Sequence, residues 1–465
     1  MSEAEEVSRA VSALYGSNAQ QQAEANRWLM AFAERPAAWD VCRELVLAGP
    51  AQEIQFFGAN VLHTKVRREW HGLALEARQQ AFGALSALVV AAVRREQPNG
   101  MTAGLATRML VSKRLCLALG AAAAQQAELC APCVQMALEL GTGEHGPAGA
   151  IAAFALLCAL VDEVELLANG AAGGGGYGVH SSAGGGASPL QPPPSPQQHA
   201  SASTARASAF DLRPFATPVA QLVEAHVATA AGRMPPLAEL RRAALHCFRA
   251  WAALDGEALS VRALAARHAS LLEGLLGALG EQDIAEAAAD ALCEVCSLEF
   301  VSLTVEQTDV HLAASIAERF LRLQPQLKQA LAHRTGSSGA QADEWAAAFT
   351  RALGQFGACA ARPLACASAG GSAESAQLQQ LVLLMLESAS YPTHAASENL
   401  VDAWVSLQDV PMHARVDAMR APLYEQLLTV TITRCMWPDV RGARAARGVS
   451  SVSYTHLRAH ETDSY

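Results

Sequence analysis

The chain has 465 residues, of which 51 % are hydrophobic and 17 % charged, and its formal net charge is −10 at pH 7. This much apolar material excludes a chain that is disordered throughout. The acidic balance argues against a general DNA-binding protein, which carries a basic face, and suits basic protein partners. No signal peptide is evident, and apolar stretches such as 149–161 are shorter than the ~20 residues that cross a bilayer. We therefore expect a protein of the cytoplasm or nucleus.

Apolar residues recur at helical spacing and almost nowhere at strand spacing. Val7, Val11 and Leu14 lie on the first stripe, which stops at 16–18. Further helices are predicted over 20–35, 37–48, 52–70, 75–96, 101–123, 125–141 and 147–168. Helical segments resume over 237–254, 255–279, 281–300, 318–334, 342–360, 375–390, 396–407 and 421–436.

The helices come in pairs joined by short turns, and each pair takes about 35–50 residues. Such a period is typical of paired-helix repeats, in which each hairpin buries its apolar face against its neighbours. The pattern therefore predicts an all-α fold, a right-handed superhelix (α-solenoid) of HEAT- or armadillo-like hairpins. A large irregular helical bundle is the alternative.

Two segments interrupt this organisation. Residues 169–208 are rich in Gly, Ser and Pro and lack the apolar side chains that offset ordering entropy, so we predict a disordered linker. It separates hairpins over 1–168 from hairpins over 209–448. Residues 449–465 contain "VSYTHLRAHET", which looks like a translated sequencing adapter and predicts a non-native tail. The natural protein would then continue past about residue 450, which makes this chain an N-terminal fragment.

The chain offers few residues arranged for catalysis or metal binding. Cys130 and Cys133 form one C-x-x-C pair, and Cys293 and Cys296 form another about 160 residues away, too far for a zinc ribbon. On helices both thiols of each pair share one face, so we predict buried, reduced thiols that fill space; metal binding or redox chemistry is the alternative. No H-E-x-x-H, phosphate-binding loop or nucleophile elbow occurs. We predict no catalytic residue, cofactor or metal site.

The helix over 52–70 combines an apolar stripe with three cations. Ile54, Phe57, Val61 and Leu62 share one side, and Lys65 falls between them. A lysine there must either extend its ammonium outward or face a partner. The alternative reading needs no partner, because cations at the end of a helix are stabilised by its dipole.

Residues 23–70 resemble the N-terminal domain of the importin-beta family. The motif has a Trp-Leu helix (Trp28-Leu29), then Ala-Trp-x-Val at 38–41, then an aromatic-Phe-x-Ala-x-x-Leu-x-x-Lys helix that ends at Lys65. Segments 115–123, 156–165 and 244–256 are similar to the transportin-SR and importin-thirteen branch.

The resemblance implies a nuclear transport receptor that binds Ran-GTP on its N-terminal repeats and carries protein cargo through the pore. Cargo would be Arg-Ser-rich splicing factors or other basic nuclear proteins, and nucleoporins would be further partners. The protein would bind neither nucleic acid nor membrane directly. The protein would lie in the cytoplasm, the nucleus and the nuclear envelope. Second helices over about 18–34, 52–70 and 101–123 would line the concave face. The residues expected to contact Ran are Phe57, Asn60, Val61, Lys65 and Arg68.

Trp28 and Trp39 would join the first two hairpins. Two alternatives to an importer remain: an exportin or bidirectional karyopherin, and a HEAT-repeat scaffold unrelated to nuclear transport.

Overall fold

A computed structural model describes residues 2–96, 109–172, 211–228, 237–297, 307–333, 339–366, 372–391 and 393–435. Every regular element within these ranges is a helix. The first eight α-helices are α1 (Glu3–Leu14), α2 (Ala19–Ala33), α3 (Ala38–Ala48), α4 (Gln52–Glu69), α5 (Leu75–Glu96), α6 (Leu110–Ala124), α7 (Cys130–Thr142) and α8 (Gly146–Ala172).

The helices after residue 211 are shorter on average. They are α9 (Ala216–Val227), α10 (Ala238–Leu254), α11 (Val261–Arg267), α12 (Ala269–Ala278), α13 (Ala285–Val295), α14 (Gln307–Arg322), α15 (Gln324–His333), α16 (Gly339–Cys359), α17 (Ala361–Cys366), α18 (Ala373–Ala389), α19 (His394–Glu398), α20 (Val401–Asp409) and α21 (Ala421–Cys435). The start of the helix predicted over 101–123, most of the predicted linker and the predicted tail lie outside the described residues.

Polar residues fix several helix starts by binding backbone N–H groups that have no partner inside the helix. Ser2 accepts from the N–H of Glu5, and the Glu5 carboxylate accepts in return from the N–H of Ser2 at 2.9 Å. Asn18 and Ser372 accept in the same way at the starts of α2 and α18. Each such cap is worth about 1 kcal/mol of helix stability.

Consecutive helices form antiparallel hairpins, and the hairpins stack. The second helices pack side by side in one continuous row, here called the second-helix row: α4, α6, α8, α10, α13, α16 and α20. The first helices of the hairpins pack on the other side of this row, and one contiguous apolar core runs between the two layers from Ala4 to Leu423. The predicted class of fold, an all-α array of stacked helical hairpins, is confirmed.

Small residues allow the closest helix contacts. A Cβ added at Gly58 in α4 would lie 2.9 Å from the carbonyl oxygen of Cys42 in α3. A Cβ at Gly120 in α6 would lie 3.0 Å from the backbone of Ala159 in α8. The Ala-rich end of α6 extends this close approach, since residues 121–124 are all buried.

Three predicted helical segments are interrupted, one of which, 396–407, divides between α19 and α20. Segment 255–279 divides at His268, whose backbone leaves the helical region at φ −138° and ψ 49° while its Nδ1 lies 3.0 Å from the Glu224 carboxylate. Segment 318–334 divides between α14 and α15, where Pro325 sits in the first turn of the new helix. Proline lacks an N–H and clashes with a preceding helical turn, so it fits a helix start but not a helix interior.

Candidate functional site

Lys65 lies inside the packed layer and does not face solvent or a partner. Its side chain is 2 % exposed, and its ammonium donates to the carbonyl oxygens of Ala33 and Arg35 at 3.2 and 3.0 Å. A third bond of 2.7 Å goes to the carboxylate of Glu69 one turn further along α4. The expectation that Lys65 either extends outward or faces a partner is wrong. Two carbonyl oxygens at the end of α2 and the Glu69 carboxylate accept its three N–H donors within the chain.

The two tryptophans of the N-terminal motif make different contacts. The Trp39 indole donates to Glu69 at 3.1 Å, and its ring lies 5.9 Å from the Lys65 ammonium, a cation–π distance. The Trp28 ring stacks on Phe32 within its own helix, with ring centroids 5.7 Å apart. Lys65 therefore makes a buried polar connection between the first two hairpins, while Trp39 and Glu69 hold Lys65 in place.

The other predicted contact residues are placed unequally. Val61 is buried, Phe57 and Asn60 are half-buried, and Arg68 is exposed. The Asn60 side-chain oxygen accepts from Arg114 of α6, and Arg68 pairs with Glu34 at 3.0 Å. Of the five residues predicted to contact Ran, only Phe57, Asn60 and Arg68 are accessible to solvent in the free chain. Contact between this helix and a GTPase stays a prediction, and in the free chain Val61 and Lys65 have no surface with which to take part.

A polar seam crosses the second-helix row beside these residues. Glu163 of α8 lies 3.6 Å from Arg67 Nε and 3.8 Å from His63 Nε2, both on α4. Side chains of α4 reach α8 because α6 between them presents glycine and alanine there. The arrangement connects the hairpin of α4 to that of α8, and its one well-exposed member is Arg67.

A polar cavity lies elsewhere, across α10, α13 and α16. This groove has a volume of about 720 Å³, and ionisable side chains from all three helices and the turn before α13 line it: Arg242, His246, Asp283, Glu286, Asp290, Glu344 and Arg351. Residues 242, 246 and 249 follow one face of α10, while 283, 286 and 290 follow the facing side of α13 and the turn before it. The groove thus lies along three successive members of the second-helix row.

Carboxylates outnumber arginines among the residues that line the groove, by four to two. Arg249 and Arg351 both approach the Asp290 carboxylate, at 3.6 and 2.7 Å, and Arg242 donates to the backbone oxygen of Asp283. Asp283, Glu286 and Glu344 are exposed and take part in no ion pair among the described residues. Such an arrangement attracts a cationic ligand, because carboxylates outnumber cations along it and three of the carboxylates are exposed.

Burial tunes the one histidine in the groove. Desolvation lowers the pKa of His246, and the neighbouring Arg242 and Arg249 act in the same direction against the Asp290 and Glu286 carboxylates. His246 therefore adds no positive charge to the groove at neutral pH.

A smaller apolar cavity of about 210 Å³ lies between α3 and α5. Its walls include Trp39, Leu62, Leu73, Leu85 and Leu88. It has the size and chemistry to take one apolar side chain.

The groove was not among the predicted sites, although the sequence carries a signal for it. Three acidic residues at spacings of three and four in "DIAEAAAD", residues 283–290, predict an acidic face on a helix. What the sequence alone does not give is that this face lies against α10 and α16.

Three of the four C-x-x-C thiols are buried, and Cys293 is half-buried beside Arg351 and Asp290. Burial raises the pKa of Cys130 and of Cys293 to about 11 each, and that of Cys133 well above its ordinary value. Among the described residues no group of three or more His, Cys, Asp or Glu side chains is arranged to hold a metal ion. In the same part of the chain, no helix has the length and apolarity needed to span a bilayer.

No known family model matches the chain, and no curated protein matches it significantly. A crystal structure of a Kap121p mutant overlaps 94 % of this chain and 44 % of its own length, at 9 % identity and a TM-score of 0.35. A structure concerning a phosphorylation switch between cadherin and beta-catenin overlaps 92 % of this chain and 86 % of its own, at 14 % identity and a TM-score of 0.28. The chain thus spans less than half of Kap121p. Both likenesses are loose and assign no family, so the importin-beta resemblance of residues 23–70 stays a prediction.

Proposed function

We propose that this chain is a nuclear transport receptor of the importin type that holds a Lys- and Arg-rich segment of its cargo on the second-helix row. The observation that carries the proposal is the groove across α10, α13 and α16, in which carboxylates outnumber arginines and three carboxylates are exposed without an ion-pair partner among the described residues. A continuous row of parallel helices also suits an extended peptide, which can cross several repeats and contact one side chain from each.

The N-terminal hairpins supply the second half of the proposal. The resemblance of residues 23–70 to the importin-beta family supports binding of Ran-GTP near α4, through Phe57, Asn60 and Arg68. The proposal also includes membership of the transportin-SR and importin-thirteen branch. It includes cargo that is Arg-Ser-rich or generally basic, and contacts with nucleoporins. The protein would be located in the nucleus, the cytoplasm and the nuclear envelope.

Peptide binding tests the groove directly. The probe is a fluorescein-labelled peptide of alternating Lys and Arg, titrated with the full chain by fluorescence anisotropy at fixed salt. Glu286→Gln with Glu344→Gln should weaken binding roughly fivefold to tenfold, since each exposed ion pair is worth up to about 1 kcal/mol. The matched control is Glu53→Gln with Glu76→Gln, which removes the same charge from exposed sites on α4 and α5. Equal weakening by both double variants would show general attraction to an acidic chain and would contradict the groove.

Ran binding tests the N-terminal half. The full chain is immobilised and exposed to Ran loaded with GTP or with GDP. An importer should bind the GTP form selectively and release the peptide when it does. Peptide binding that rises on adding Ran-GTP would instead indicate an exportin or bidirectional karyopherin, and absence of Ran binding would indicate a scaffold.

A further inference from the structure

Arg351 closes part of the groove from within. Its guanidinium reaches from α16 to α13, where Nη2 lies 2.7 Å from the Asp290 carboxylate and 3.5 Å from the backbone oxygen of Glu286. The Asp290 side chain is 24 % exposed and that of Arg351 is 38 % exposed. The other carboxylates of the groove are more exposed than Asp290. A charge pair is stronger where solvent is partly excluded, so Asp290 is the carboxylate that would hold a ligand cation best.

The closed position of Arg351 is incompletely satisfied. Its Nε is buried and has no hydrogen-bond partner. A buried donor without a partner is costly, because it has given up its bonds to water. Moving the guanidinium out into the groove's open side would restore water to this atom, which lowers the cost of releasing Asp290.

We propose that Arg351 is an intramolecular competitor for the groove: in the free chain it occupies Asp290, and a Lys- or Arg-rich segment binds fully only by displacing it. The inference rests on the proposed function, since it concerns the same groove. Arg351 would then set specificity, because a ligand cation must bind Asp290 better than a tethered guanidinium does. A bidentate arginine meets that demand more readily than a lysine.

Removal of the competitor should strengthen peptide binding. Arg351→Gln should lower the dissociation constant of the labelled Lys/Arg peptide about threefold to tenfold relative to the wild-type chain. Arg322→Gln is the matched control, because it removes an equal charge from an exposed pair with Glu318 on α14, outside the groove. Circular dichroism and thermal unfolding establish that each variant is folded.

A double-mutant cycle separates competition from a general charge effect. In the wild-type background Asp290→Asn should change peptide affinity little, since Asp290 is already occupied. In the Arg351→Gln background the same change should abolish the gain. Additive effects of the two substitutions would contradict the competitor, because independent sites add.

The failures of the two proposals are distinguishable. If the Glu286→Gln and Glu344→Gln pair weakens binding while Arg351→Gln behaves like Arg322→Gln, the groove stands and the competitor is wrong. Weaker binding by folded Arg351→Gln would also overturn the competitor, since Arg351 would then support the site. If neither the wild-type chain nor Arg351→Gln binds the peptide, the proposed function fails and the competitor with it.

Discussion

Side chains of one hairpin repeatedly bind the helix end of the hairpin before it. Lys65 does so at the end of α2, and Arg95 donates to the carbonyl oxygens of Val46 and Leu47 at the end of α3, at 2.7 and 2.6 Å. Amide side chains repeat the contact further along: Gln125 binds the oxygen of Val66, Gln326 that of Gly280 and Gln355 that of Cys296. The last carbonyls of a helix have no partner inside it, so each of these bonds stabilises a helix end and a repeat interface together.

Loss of the Lys65 ammonium should loosen the first two hairpins. Lys65→Met keeps the buried methylene chain but leaves the oxygens of Ala33 and Arg35 without their donor, for a loss of about 2–3 kcal/mol. Hydrogen exchange of the α2 and α4 amides measures the change in opening free energy. Arg68→Met is the control, since Arg68 and Glu34 are 66 % and 68 % exposed and their pair is worth under about 1 kcal/mol. Equal effects of the two variants would contradict a structural role for Lys65.

Acid should destabilise the fold at His226, because protonation places a charge on a partly buried imidazole. The ring nitrogen Nε2 lies 3.2 Å from the oxygen of Gly141, and burial lowers the pKa of the imidazole although this bond partly opposes the shift. The unfolded chain, whose histidine pKa is about 6.5, therefore takes up the proton first, so stability is full above that pH and is lost as pH falls below it. The melting temperature should fall less steeply from pH 7.5 to 5.5 in His226→Gln than in the wild-type chain. Parallel slopes would show that His226 does not contribute.

At the scale of helices, glycine acts in opposite ways at two positions. Gly58→Ala should destabilise by about 1–2 kcal/mol, because the new methyl would press on the Cys42 oxygen and push α3 from α4. Gly83→Ala should stabilise by up to about 1 kcal/mol, since nothing lies within 4 Å of the new methyl and alanine favours the helix. Exchange of the α3, α4 and α5 amides measures both effects. Shifts of the same sign would contradict close packing at Gly58.

Helix positions could be predicted from the sequence, and helix partners could not. The stripe through Ile54 and Val61 correctly marked the buried face of α4, because periodicity depends only on the helix itself. The same pattern could not say that the end of α2 lies beside Lys65, since that depends on how two hairpins cross. The groove shows the same limit: the acidic face at 283–290 is visible in the sequence, but its pairing with Arg351 is not.

At the scale of the whole molecule, each hairpin depends mainly on its neighbours. Among the described residues, the main contacts of the second-helix row connect α4 to α6, α6 to α8, α8 to α10 and so on to α20, each helix to the next. Stability in such an array is close to a sum of repeat and interface contributions. A change in the groove that spans α10, α13 and α16 therefore reaches the N-terminal hairpins only through the interfaces between neighbouring hairpins.

Two destabilising substitutions placed far apart should accordingly have separate effects on hydrogen exchange. Gly354→Ala in α16 would drive a methyl into the backbone oxygen of Asn399, and it should speed hydrogen exchange in α13, α16 and α20 while leaving α1–α4 unchanged. Gly58→Ala should do the reverse, and the double variant should show the sum of the two patterns because the sites share no neighbour. Exchange followed by mass spectrometry resolves the helices in one experiment. Faster exchange along the whole array from either single substitution would mean that the hairpins unfold as one cooperative unit.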